Sequence, residues 1–399
     1  MMVQARRRLL PLLLALGAGG ASAADGMFSL SGFGTLGVVR TSTDDAQYAL
    51  FGQVRGADKD PSAEVDTKLG VQLGAKFSPM FSGTVQVLTK SNGKGNFNPG
   101  IEWAFLKAQV TPGLSLRAGR MGAPFFAVSD FRDVGFANTA LRPPTDVYNQ
   151  VPVSHFDGAD ASYQANTSMG TLTGQLFGGK ASDTSQRYKV DVKAMVGFNT
   201  TLETDFGLTL RLGYARGKLT VGNAALNSLV TTLRATPFAS VGDQLDPNES
   251  RSTFSGLGLT WDQGEWVVSA EYTQRRIKTF LADTDGWYVL VGHRFGTLTP
   301  YVTVSEAKTV DTHVNNTIPT ATAQLAALKL AVDGLVDSQR HSQKTVALGA
   351  RWDFVRNFAL KAQWEHIRPD GRGYFIVPTA NWGNGKTVNV LSVAVDTVF

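Results

Sequence analysis

The stretch Thr387-Val388-Asn389-Val390-Leu391-Ser392-Val393-Ala394-Val395-Asp396-Thr397-Val398-Phe399 alternates with a period of two and stops on an aromatic residue. One face reads Leu391, Val393, Val395, Thr397 and Phe399. The other carries Ser392, Ala394 and Asp396. Side chains of a strand point to opposite sides at every step, so this segment can turn one face to hydrocarbon and the other to water.

Working back from this segment, fifteen others share its β-rich or alternating character. With it they cover 28–39, 65–77, 81–92, 101–110, 114–120, 157–165, 170–180, 190–201, 206–217, 252–263, 265–276, 284–296, 298–307, 342–354, 357–368 and 386–399. The gaps between them alternate short and long. Short ones include Ser78-Pro79-Met80, Thr111-Pro112-Gly113 and Val355-Arg356. Long ones include 40–64, 121–156, 218–251, 308–341 and 369–385. A soluble sandwich has no reason to sort its loops by parity, whereas a membrane barrel puts tight turns on one side and long loops on the other. The pattern predicts an all-β chain folded as a transmembrane antiparallel barrel of about sixteen strands, with fourteen and eighteen as the adjacent even alternatives.

The amino-terminal end carries its own signal. Arg6, Arg7 and Arg8 precede the apolar run Leu9–Leu16, and Ala21-Ser22-Ala23 offers small residues for cleavage. Residues 1–23 therefore read as a secretory signal peptide, leaving 24–399 as the barrel. Without the three arginines, 35 basic residues face 33 acidic ones, and the formal charge falls from +5 to +2. The basicity is not a nucleic-acid footprint, and nucleic acid is not expected as a partner. There are no cysteines, so neither a disulfide framework nor a cysteine metal site is possible. Beyond the signal peptide no apolar run reaches the ~18–20 residues of a spanning helix.

The strand faces place the charges. In 65–77, Leu69, Val71, Leu73 and Phe77 oppose Asp66, Lys68, Gln72 and Lys76; in 357–368, Phe358, Leu360, Ala362 and Trp364 oppose Lys361, Gln363 and Glu365. A Lys or Arg at the lipid midplane costs roughly 2–4 kcal/mol, so the charged columns must face a wet lumen. The inward set has ten basic residues (Lys68, Lys76, Lys107, Arg117, Lys193, Arg211, Arg275, Arg294, Arg351, Lys361) and six acids (Asp66, Asp191, Glu271, Asp353, Glu365, Asp396). That excess predicts a weak anion preference. Aromatic residues near strand ends, among them Phe77, Phe81, Phe206, Trp266, Trp352 and Phe399, suit interfacial girdles.

The third long gap, 121–156, is the candidate for narrowing the lumen. It holds Pro124-Phe125-Phe126, then Asp130-Phe131-Arg132-Asp133, then Leu141-Arg142-Pro143-Pro144 ahead of Asp146 and Tyr148, and it follows Ala118-Gly119-Arg120. This combination resembles the constriction loop of the proteobacterial general porins, and the terminal strand with its closing Phe399 resembles the assembly signal of outer-membrane barrels. The resemblance implies that the loop folds into the lumen and that its acids face basic residues on the wall. On the loop side it assigns Asp130, Asp133 and Asp146, with Arg132 and Arg142 as neighbours able to pin the loop. On the wall it assigns Lys68, Lys107, Arg117 and Arg120, with Arg211, Arg275, Arg294, Arg351 and Lys361 on the far side. It also implies a location in the bacterial outer membrane after export through the periplasm. The implied partners are membrane lipid and lipopolysaccharide, the barrel-assembly machinery, two further copies in a homotrimer, and small hydrophilic solutes.

On this reading the chain is an outer-membrane pore for passive diffusion, needing no cofactor or metal and performing no catalysis. A channel selective for small carboxylates, phosphate or aromatic acids is the alternative within the class. A non-conducting adhesin or receptor lies outside it. Leu226, Leu229, Val230 and Leu233 in 223–234, and Leu325, Leu328, Val332, Leu335 and Val336 in 321–336, recur at helical spacing and predict two short loop helices. The five histidines show no metal-ligand spacing. Ser154 and His155 are adjacent, and neighbours within a strand point apart, so they are not expected to meet.

Overall fold

The computed structural model describes residues 26–383 and 385–399; the expected signal peptide lies outside these. Sixteen antiparallel strands form one closed sheet. They are β1 (Phe28–Thr41), β2 (Lys68–Lys76), β3 (Phe81–Lys90), β4 (Gly100–Gln109), β5 (Leu114–Gly122), β6 (His155–Thr167), β7 (Gly170–Thr184), β8 (Lys189–Glu203), β9 (Leu208–Gly222), β10 (Ser250–Gln263), β11 (Trp266–Ile277), β12 (Asp283–His293), β13 (Leu298–Asp311), β14 (His341–Val355), β15 (Phe358–Gly371) and β16 (Val388–Val398). Each pairs with its sequence neighbours, and β1 pairs with β16 to close the ring. Closure leaves no open edge in the wall, which is what permits a sheet to stand in hydrocarbon.

The alternation of the last strand does what its sequence dictates. Leu391 and Val393 are exposed on the outside, while Ser392, Ala394 and Asp396 are buried within, opposite Val39, Gly37 and Thr35 of β1. Leu73, Leu106, Leu176, Leu212, Leu257 and Leu348 extend the exposed apolar belt around the ring. Gly32 and Phe399 exchange backbone hydrogen bonds of 2.8 and 3.0 Å. The Phe399 ring lies so close that a Cβ on Gly32 would fall 2.3 Å from it, and Tyr301 covers Gly349 in the same way. Such aromatic-over-glycine contacts pin the register of a curved sheet.

Loop lengths sort by end, with two exceptions. Connections such as Ser168-Met169 and Arg356-Asn357 are tight, while 42–67, 123–154, 223–249, 312–340 and 372–387 are long. At the long-loop end, 185–188 and 278–282 are short; at the first of these β7 and β8 run on as a fifteen-residue pair. Among the described residues outside the strands there are four α-helices, α1 (Thr145–Tyr148), α2 (Ala224–Arg234), α3 (Ala239–Leu245) and α4 (Ala323–Asp337). The side chains of Asn223 and Thr322 accept from the Leu226 and Leu325 amides and so start α2 and α4. Leu226, Val230 and Leu233 of α2 pack with Val241 and Leu245 of α3 and Val332 and Val336 of α4, roofing the long-loop end. A ribbon of Gln47–Tyr48 with Phe375–Ile376 ties the first and last loops together beside them.

Candidate functional site: the third loop and the barrel wall

The loop 123–154 runs inside the ring and touches most of its circumference. Its apolar residues Phe125, Phe126, Val147 and Tyr148 cluster with Phe156, Phe177, Phe254 and Tyr288 of the wall, and Phe126 stacks on Tyr148 at 4.5 Å. A chain crossing a lumen leaves its carbonyls without the ladder partners that a strand would give them, so donors must come from elsewhere. Wall cations supply them. Lys361 Nζ donates to the carbonyls of Gly135, Asn138 and Ala140 at 2.7, 2.6 and 3.1 Å. Arg351 donates to Phe136 and Asn138 at 2.6 and 3.0 Å. Arg211 donates to Pro124 and Phe125, and Arg275 donates to Gln150 at 2.6 Å. These four residues reach the loop, but they hold its backbone rather than confront its acids.

Charge is matched in the opposite sense at Arg142. This loop guanidinium donates to Asp66 at 2.7 and 2.9 Å, to Glu365, and to the hydroxyls of Tyr48 and Ser392. All three charged groups are almost fully buried. Burial works against the charge on Arg142, but Asp66, Tyr48 and Glu365 outweigh it and hold its pKa well above the ordinary value.

The loop acids meet three different fates. Asp133 is paired with Lys90 at 2.9 Å and lies 3.9 Å from Lys68 and 3.8 Å from Arg132. Burial opposes its ionisation, but Lys90, Lys68 and Arg132 hold it well below the usual carboxylate range. Asp146, at the start of α1, meets hydroxyls instead of wall cations, accepting from Ser305 at 2.9 Å and Thr345 at 3.2 Å. Burial pushes its carboxyl up to about 6, against the pull of those two hydrogen bonds. Asp130 is exposed.

The wall from β4 to β8 is built differently. Arg117 makes a bidentate pair with Asp160 (2.6–3.1 Å) and lies over the Phe105 ring. Gln175 donates to Asp160 at 2.8 Å and Asn199 donates to Gln175 at 2.6 Å, extending a polar ladder across four strands. Lys107 is the cross-strand neighbour of Arg117 and is partly exposed. Among the described residues, no lysine, arginine or acid of β4–β8 is hydrogen-bonded to the third loop.

Several sequence expectations need correction. Arg120 is not a lumen residue: alternation puts it on the outer side with Leu116 and Ala118, where it pairs with Asp157 at 2.7 Å. Arg294 lies beyond the end of β12, in a tight turn at the far rim, bound to Asp262 at 2.7 Å and remote from the loop. Lys193 and Asp191 point outward because Ala194, with a φ of 48°, bulges from β8 and flips the parity of the residues before it. Ser154 precedes β6 rather than lying in it, so its Oγ does reach His155 Nδ1, at 3.2 Å. Glu102 approaches that same nitrogen at 3.5 Å, so the three do not form a relay through the two sides of the ring. Tyr48, Lys90 and Asp160 were not singled out by the sequence. Asp160 becomes visible only through its cross-strand register with Arg117.

The sequence matches the Gram-negative porin family over residues 12–312, more than half of its length. A comparison with curated proteins finds no match. Among solved structures, the anion-selective porin from Comamonas acidovorans is 12% identical with a TM-score of 0.56, covering 93% of this chain and 99% of its own. A trimer form of in-vitro folded OmpT from Vibrio cholerae is 11% identical with a TM-score of 0.52, covering 94% and 100%. OmpF of Salmonella typhi in complex with daunomycin is 14% identical with a TM-score of 0.52, covering 93% and 97%. At such identities the likeness is one of fold, and it is the same closed barrel. With the family match over most of the strands, the chain belongs to the Gram-negative porins of the outer membrane.

Proposed function

We propose that the protein is a passive diffusion channel for small hydrophilic solutes and ions, narrowed by the third loop and weakly selective for anions. The observation that carries this reading is the loop itself, held across the lumen of a sixteen-stranded ring by Arg142, Lys361 and Arg351, while the β4–β8 wall meets it through apolar contacts at Phe156 and Phe177 and keeps its charged residues off it. A ring of this size leaves an aqueous channel unless something fills it. The path of solute runs between the segment 127–134, where Asp130 and Phe131 are exposed, and the wall that bears Lys107 and Arg117. Diffusion through it needs neither cofactor nor turnover, and the Ser154–His155–Glu102 contact, with both neighbours on one ring nitrogen, gives no support to catalysis.

Anion preference finds support in Arg211 and Arg275, which hold loop carbonyls and take part in no ion pair among the described residues, whereas Lys361 and Arg351 are also paired with Asp396 and Asp353. Assembly as a homotrimer is supported by the trimer form of the structurally similar Vibrio cholerae protein. Surface residues Phe77, Phe81, Phe206, Phe295 and Trp352, exposed near the tight-turn end, suit the lipid interface of an exported outer-membrane protein. Bilayer recording of the mature chain under a potassium chloride gradient tests the proposal. Stepwise openings with a reversal potential favouring chloride are expected. A folded, heat-modifiable protein that passes no current would remove it.

A further inference from the structure

Above the third loop lies a chamber of about 590 Å³ whose lining does not resemble a salt-water pore. Its floor is the loop, at Phe125 and 149–153, and its roof is the packed set of long loops. Its side wall is the inner face of β8–β11 at their long-loop ends. There the Ala194 bulge turns Val190 and Val192 inward, beside Leu219, Val221 and Ile277. Apolar side chains on the lumen face have no lipid to meet, and so much of them around one half-open space marks a ligand chamber.

The polar part of the lining has one sign. Arg187, Arg216, Arg275 and Arg372 border the chamber, and the described lining residues include no Asp or Glu. None of the four takes part in an ion pair among the described residues: Arg275 donates to the Gln150 and Ala282 carbonyls, Arg372 to Phe375 and Arg187 to Val54. Two donors there are buried without a hydrogen-bond partner, Arg275 Nε and the Tyr374 hydroxyl. Tyr374 is fixed in place by stacking on His341 (5.2 Å, 11° between planes), whose Nδ1 is 2.7 Å from the Gly373 carbonyl. Buried donors left over after the fold has satisfied its own groups are where a ligand acceptor belongs.

We infer that this chamber is a binding station for amphipathic monoanions, an aromatic or branched carboxylate whose body packs on Val192, Leu219, Phe254 and Ile277 and whose carboxylate is taken by Arg275 and Tyr374. This inference rests on the channel reading and narrows its solutes. The station enriches such anions at the mouth, and Arg211, at the loop's far side, continues the positive path toward the narrow segment. A small hydrophilic anion gains only the charge, and an amphipathic cation only the apolar surface, so the two together define the class.

The test is open-channel chloride current in a planar bilayer with benzoate, acetate or benzylammonium added on the long-loop side. Equilibrium dialysis of labelled benzoate against the folded protein runs in parallel. Benzoate is expected to interrupt the current at a concentration at least tenfold below acetate, with benzylammonium no better than acetate. The paired change Arg275→Gln and Arg372→Gln, normalised to that variant's own chloride current, is expected to raise the half-blocking benzoate concentration tenfold or more. Leu219→Asn should weaken benzoate several-fold and leave acetate unchanged. Should the arginine variant fail to fold, Tyr374→Phe, which alters only a loop side chain, is expected to weaken benzoate about threefold. Equal block by benzoate and acetate in a conducting channel overturns the inference and leaves the channel reading intact. Equal block by benzylammonium overturns the anion assignment. Absence of chloride current defeats the channel reading, and dialysis then decides the chamber: retained benzoate upholds it and no retention removes it.

Discussion

The lumen has two walls that share an alphabet and spell different things. From β11 round to β3 the inward charges are spent on the third loop: Lys361, Arg351 and Arg275 on its carbonyls, Asp66 and Glu365 on Arg142, Lys68 and Lys90 on Asp133. From β4 to β8 they are spent on one another, in the Arg117–Asp160–Gln175–Asn199 ladder, or left standing, as at Lys107. A tally of inward charge treats these walls alike. On the proposed channel reading, the first wall is architecture and the second is the face left to the solute.

The largest break in this contrast is expected from Arg142→Ala. It leaves Asp66 and Glu365 buried without their cation, a loss on the order of 3–5 kcal/mol, and unseats the returning arm of the loop. Folded protein should convert to its unfolded electrophoretic form at a clearly lower temperature, and surviving channels should flicker. Lys361→Met should follow closely. It strips a donor from three carbonyls and leaves Asp396 with only Thr35, a cost of about 3 kcal/mol. Heat-modifiability should fall far more than ion selectivity changes. A shifted reversal potential with unchanged stability would place Lys361 on the solute's path and dissolve the distinction. Lys107→Glu is the mirror experiment on the free wall. The reversal potential should move toward potassium while stability stays within roughly 0.5 kcal/mol, as for an unpartnered surface position.

The smallest expected effect is at Asp146. Its folded pKa of about 6 lies above the ordinary carboxylate value, so the folded state holds the proton more tightly than the unfolded chain does. The stability it contributes is therefore fully present below the ordinary value and is lost as pH rises through about 6. Current noise should be lower at pH 4.5 than at pH 8, and Asp146→Asn should flatten that difference. Equal noise at both values in the unmodified protein would place the loop's seat elsewhere.

How much of this was written in the sequence depends on which interactions are local. The sixteen strands follow from a period of two, a property of neighbouring residues, and Leu391 and Ser392 fall on the sides that it assigns. The helices at Ala224–Arg234 and Ala323–Asp337 follow from local spacing too, whereas α3 is too short to carry a stripe. Parity arguments fail where one residue is inserted. The bulge at Ala194 reversed Lys193 and Asp191, and it hid the chamber by making Val190 and Val192 look like lipid-facing residues. The loop's path shows the deeper limit. Side-chain chemistry marks Lys361 as inward, but nothing in it states that the acceptors are backbone carbonyls more than two hundred residues earlier. Arg120 and Arg294 were placed by residue type, and only the register showed one to face outward and the other to sit at the rim.

The clasp between Gly32 and Phe399 bears on how the ring is sealed. The ring is completed by the last strand alone, which must find β1 across the whole length of the chain. A polypeptide lacking that strand would show two bare hydrogen-bonding edges, on β15 and β1, at once, a state prone to aggregation and open to proteolysis. The seam from Thr41 to Phe33 finishes on an aromatic ring seated on a residue that has no side chain. Gly32→Ala, which would set a methyl group 2.3 Å from that ring, is expected to leave the seam open at this end and lower the yield of closed barrel.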